Sequence, residues 1–216
     1  MAVPVRHSEA VEVYLQTLQP PTSLPWREAS FAVLGLETTG PDAHRDEIVR
    51  VACVPVEGGR AIIGKASEAT VGPGKTQGRL IELVIEALTG RVLVAHAVSQ
   101  QAGFLSATFA TQGIRLKAPM LDTAALTAWV APHAAAEGGW PRPSADISRG
   151  LLRAASGIGL PVHRPHEASG AALTTAQLFM ALACHLDHVH PQSVGSLARL
   201  CSKPRGLQLG RYSVRL

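Results

Sequence analysis

The sequence predicts an α/β domain, a sheet with helices packed against it. Three strand-like segments lead, and from there a short apolar strand and helix-period segments follow to the C-terminus. A chain of 216 residues, 46% apolar and 17% charged, is long enough for one sizeable core and short for two.

Each element has its own signal. Residues 9–18 set Val11, Tyr14, Leu15 and Leu18 at helical spacing, and Pro20-Pro21 stop the helix. Residues 31–36 form a strand with Ala32, Val33 and Leu34 buried. A second strand over 47–56 turns at Gly58-Gly59 into a third over 61–65, since paired glycines accept a tight hairpin. A loop follows at 72–74; then 80–88 repeats apolar positions as a helix does, and Gly90 stands where a C-cap belongs. Residues 92–95 are wholly apolar, the pattern of a central strand. Helices are expected at 102–112, 123–130, 146–155, 171–186 and 194–200, and a flexible loop at the Ala-, Gly- and Pro-rich stretch 132–143.

Composition narrows the function. No apolar run reaches the roughly 20 residues that span a bilayer, so no membrane association is expected. The first ten residues lack a basic stretch followed by an apolar core, so no signal peptide is expected either. Cys53, Cys184 and Cys201 are far apart and have no paired spacing, as reduced thiols of a cytoplasmic protein would. Five basic residues and no acid lie in 191–216 (Arg199, Lys203, Arg205, Arg211, Arg215). Without them the body has 15 basic against 16 acidic residues. Such a tail suits either a phosphate-binding arm or a solubilising terminus.

Four short blocks carry a resemblance. FAVLGLETTG over 31–40, with DEIV at 46–49, comes first. LVAH at 93–96 with GFL at 103–105 follows, then PMLDT at 119–123. His166, opening the helix over 171–186 with TAQLF at 175–179, is last. In order and spacing they resemble the histidine-bearing DEDD-type (DEDDh) 3′–5′ exonucleases, relatives of the polymerase proofreading subunit. The resemblance implies a ribonuclease-H-like fold, a mixed central sheet flanked by helices, over 30–190. Residues 1–29 are then an N-terminal helical extension, and 191–216 a basic C-terminal segment.

The resemblance also implies two-metal phosphodiester hydrolysis. Mg²⁺ or Mn²⁺ prefers oxygen ligands, and the two ions must be held roughly 4 Å apart by carboxylates. A histidine then takes the proton of the attacking water. The family places acids two residues before the glutamate of the first block, in the second block, and five residues after the histidine. Here those positions are Gly35, Gln101 and Ala171. Only Glu37 and His166 remain as catalytic remnants. One carboxylate beside neutral groups cannot balance two divalent ions, so no metal and no other cofactor is expected. The corresponding reading is an inactive exonuclease-fold protein retained for binding. Its expected partner is single-stranded nucleic acid, held weakly through Thr38, Thr39, Gly40, His96, Lys203 and Arg205, with a protein partner possible. Two alternatives stand beside it: a weakly active Mg²⁺- or Mn²⁺-dependent exonuclease, and a protein-partner module without nucleic-acid contact.

Several other features read as structural rather than as sites. Glu167 adjoins His166 but points elsewhere. Asp46 and Glu47 match an acidic pair the family carries away from its metals, and Asp122 suits a cap for the helix from Thr123. The connection over 70–78 is shorter than in many relatives, which implies a more open pocket for a terminal nucleotide. Gly74-Lys75-Thr76 is not a phosphate loop, because Ala69 stands where the motif needs glycine. His185, His188 and His190 read as a polar helix end rather than a metal site. Trp26 and Trp129 read as packing residues, and Trp140 as the better candidate for stacking on a base.

Overall fold

The structure, a computed structural model, describes residues 8–72, 74–75, 77–136 and 150–202. Six strands form one mixed sheet: β1 (Ser30–Thr38), β2 (Ile48–Glu57), β3 (Arg60–Ala61), β4 (Ser67–Thr70), β5 (Val92–Ala95) and β6 (Met120–Asp122). The order is β3-β2-β1-β5-β6, with β4 also paired to β2. β1 runs antiparallel to β2, placing Gly35 opposite Ala52 and Glu37 opposite Arg50. It runs parallel to β5, with Val33 beside Val94, and β5 runs parallel to β6. The helices are α1 (Glu9–Gln16), α2 (Gly78–Leu88), α3 (Val98–Ala110), α4 (Thr123–Ala136), α5 (Leu151–Gly157), α6 (Ala168–Val189) and α7 (Val194–Ser202).

Strand alternation divides the core in two. Phe31 and Val33 of β1 join Ala52, Val54 and Val94 beneath α6, where the Phe31 ring lies tilted 4.7 Å from Phe179 and Trp26 meets Phe179 edge-on at 6.1 Å. Ala32 and Leu34 face the other way, into a cluster with Leu80, Ile81, Ile85, Leu105 and Phe109 of α2 and α3. Val11 and Tyr14 of α1 are buried in that second cluster, so the segment before Ser30 supplies core side chains. By length and composition α6 could cross a bilayer, but 56% of that window is buried inside the domain.

Several boundaries differ from expectation. The third strand breaks after Ala61: a 3₁₀ turn at Ile63–Lys65 carries an exposed Ile63, and the edge strand β4 resumes the pairing. Gly64 and the polar β4 sequence SEAT hide this break from a hydrophobicity pattern. β6, three residues long, carries no strand pattern in the sequence and forms by pairing with β5. α4 continues to Ala136 into the stretch expected as loop; residues 137–143 and 146–149 lie outside the described residues. Leu18 is beyond the end of α1 and 88% exposed, so it is no part of that helix's buried face. The hairpin at Gly58-Gly59 has φ of 59° and 70°, as paired glycines allow.

Candidate functional site

Gly35 and Glu37 lie two apart on β1 and therefore share a face, the one covered by α6. At Gly35 the strand and helix backbones touch. A β-carbon there would overlap the carbonyl oxygen of Ala168 and stand 2.8 Å from the amide nitrogen of Ala172. The position at which the resemblance expects the first acid thus has no room for any side chain.

Glu37 is engaged at the same place. Its Oε1 accepts the Ala168 N–H at 2.6 Å and lies 3.5 Å from Nη1 of Arg50. Arg50 Nε in turn reaches Glu68 at 3.3 Å and the Thr70 hydroxyl at 3.2 Å. α6 has no acid in its first turn, and Glu167, its N-cap residue, makes no side-chain cap bond. Glu37 supplies the missing side-chain cap bond to this helix end from β1.

The remaining positions gather at the same edge. Ala171 lies in the first turn of α6, with its N–H bonded to Glu167 O at 2.8 Å. His166 does not open the helix. It sits two residues before α6, exposed, in a turn where Arg164 and His166 have φ of 27° and 71°. Gly170 lets that turn lie against α6, since a β-carbon there would strike the carbonyls of His163 and Arg164. Glu167 pairs with Arg164 at the surface, 3.5 Å away. Gln101 lies in the first turn of α3, which follows β5 at the carboxyl end of the parallel strands, where ligands of open α/β sheets bind. Its Nε2 donates to His96 O at 3.1 Å.

The other acids hold backbone. Asp122 Oδ1 accepts the Ala124 N–H at 2.8 Å, capping α4 as expected, and the Ala97 N–H at 3.0 Å. Asp46 accepts the Thr39 hydroxyl and the Asp42 N–H, and Thr38 donates to Gly40 O at 2.7 Å, so the 38–46 loop is internally tied. Glu47 Oε2 accepts the Gly74 N–H at 2.8 Å. His96 is mostly buried: Nδ1 is 3.0 Å from the Thr123 hydroxyl, and burial lowers its pKa, with Asp122 opposing. Its Nε2 is buried too and has no hydrogen-bond partner. Asp187 is held by the Gln192 N–H and by Arg27, which itself lies 4.5 Å over the buried Trp26. Trp129 packs at the margin of the core. Trp140, Lys203 and Arg205 fall outside the described residues.

Among the described residues no group of three His, Cys, Asp or Glu could hold a metal ion. The donor set does not fit a divalent pair: one position is filled by backbone, two are Gln101 and Ala171, and the surviving carboxylate already serves a helix end and a guanidinium. Sequence reasoning missed Arg50 and Glu68. Arg50 is conspicuous as the one charge within VRVACVPV, but only the register sets it opposite Glu37.

No family model matches the chain. In an alignment of 180 positions that covers 73% of this chain and 24% of the relative, it is 29% identical to a DNA polymerase III subunit epsilon-like protein of Rhodobacter capsulatus. In fold it is similar to E. coli exonuclease I in complex with a dT13 oligonucleotide, with a TM-score of 0.60 and 13% identity over 74% of this chain and 42% of that one. It is also similar to the metal-free form of the E. coli exonuclease I–single-stranded DNA complex, with a TM-score of 0.57 and 13% identity over the same shares. The chain thus has the fold of exonuclease I and is similar over part of its length to a polymerase III epsilon-like protein.

Proposed function

We propose that this chain is an exonuclease-fold module that binds single-stranded nucleic acid without cleaving it. One observation carries the reading: the α6 backbone fills the space over Gly35 where the first metal-binding acid would stand. Hydrolysis in this fold needs carboxylates to hold two divalent ions, and the donor set here does not supply them.

Binding has its own support. An acidic cleft repels the phosphate backbone, and three neutral positions reduce that repulsion, within the limits of solvent screening. The tied turn at Thr38–Gly40 and the exposed His166 stand at the edge where the motif blocks converge, and Lys203 and Arg205 add sequence-independent attraction from the basic tail. Exonuclease I has been solved in a metal-free form with single-stranded DNA, so the fold is compatible with holding a strand without metal. Fluorescence anisotropy with a labelled oligonucleotide, across a salt series and with or without EDTA, tests the reading. Weak binding that falls with salt and ignores EDTA is expected. Binding abolished by EDTA would overturn the metal-free account, and no binding at low salt would favour a protein-partner module.

A further inference from the structure

We propose that Arg50 is the resident cation of this site and that Glu37 has become a structural anchor, so that the remnant of the catalytic centre now fastens α6 to the sheet. The inference rests on the same closed site as the proposed function, but its test needs no nucleic acid, so the two can fail separately.

Three observations converge. Glu37 and Arg50 are directly opposite in the β1–β2 register, where opposite charges stabilise a strand pair. Arg50 lies between two carboxylates, 3.5 Å from Glu37 and 3.3 Å from Glu68, so charges alternate where a metal site would concentrate acids. Glu37 also accepts the first N–H of a 22-residue helix that has no acid in its first turn and whose N-cap residue, Glu167, makes no side-chain cap bond and pairs with Arg164 instead. A carboxylate at a helix N-terminus answers both the unsatisfied N–H groups and the dipole. The guanidinium then offsets the charge that would otherwise attract a divalent ion.

The alternation also explains why the site closes. A metal pair needs empty space between its carboxylates, whereas an anchor needs contact. Ala168 and Ala172 are fully buried, and they bring the α6 backbone onto Gly35 while Glu37 holds the end of the helix. Arg50 and Glu37 are 33% and 28% exposed, so the ion pair is partly screened and the bond to Ala168 is the stronger link.

Thermal unfolding with and without Mn²⁺ tests the inference. Glu37→Gln keeps an acceptor but loses the charge, and should lower the midpoint by about 2–4 °C; Glu37→Ala loses both, and should lower it by about 4–8 °C. Arg50→Met should cost less, and Glu37→Ala with Arg50→Met less than the sum of the single losses, because the two side chains share one interaction. Mn²⁺ should leave the wild-type midpoint unchanged. A Glu37→Gln midpoint equal to or above wild type would overturn the anchor, because relieving an acidic cluster stabilises rather than loosens. A Mn²⁺-induced rise that disappears in Glu37→Ala would overturn Arg50 as the resident cation.

Discussion

Replacing Gly35 with alanine adds one methyl group where β1 meets α6. The new carbon would overlap the carbonyl oxygen of Ala168 and lie 2.8 Å from the amide of Ala172. Both are backbone atoms, so no flexible side chain can swing aside. The facing residues Ala168, Ala172 and Ala176 are already small and buried. α6 must therefore lift as a body, and it carries Phe179, Leu182 and Leu186 of the core with it. Overpacking costs about 1–3 kcal/mol, and a rigid helix on a rigid strand belongs at the upper end. For a domain of this size about 3 kcal/mol lowers the thermal midpoint by about 6–12 °C. Gly35→Asp should be worse, because it adds a carboxylate against a carbonyl and beside Glu37. Circular dichroism melts of both variants measure this, with Gly64→Ala as control, since nothing lies within 4 Å of a β-carbon there. A Gly35→Ala midpoint within about 1 °C of wild type would refute the closed packing.

Three further outcomes are expected. Asp122→Ala removes the acceptor of the Ala124 and Ala97 N–H groups and should cost about 1–2 kcal/mol in urea unfolding. Burial lowers the His96 pKa below its ordinary 6.5, so folding favours the neutral ring. That contribution is present above the unfolded pKa and is lost as pH falls through the folded one. Midpoints from pH 7.5 to 5 should fall more steeply for wild type than for His96→Gln, and equal slopes would refute it. Deleting residues 203–216 removes Lys203, Arg205, Arg211 and Arg215. It should weaken oligonucleotide binding and reduce the salt slope by up to about 2.8, at about 0.7 per phosphate contact.

Much of the architecture was legible because its signals are local. The apolar run at Val92–Ala95 gave the β5 strand to the residue, and Gly58-Gly59 gave the hairpin. The β3–β4 break and β6 were not legible, because short edge strands carry little pattern of their own and exist through pairing with β2 and β5. α6 starts three residues before the helix the sequence predicts: Ser169 and Gly170 are weak helix formers, and it is Glu37, 131 positions away, that accepts the N–H of its first residue. In the site, Gly35, Gln101 and Ala171 were readable as the positions at which the resemblance expects acids. Their consequence was not. That α6 closes over Gly35, and that Arg50 stands beside Glu37, depend on register and packing across the sheet.

The most direct test of the account is release of nucleotides from a 3′-labelled single strand in Mg²⁺ and in Mn²⁺, by wild type and by Glu37→Ala. The account predicts equal, background-level release from both proteins with either ion. Metal-dependent release by wild type that disappears in Glu37→Ala would contradict it, and would mean that Glu37 leaves Ala168 and Arg50 to hold a catalytic ion.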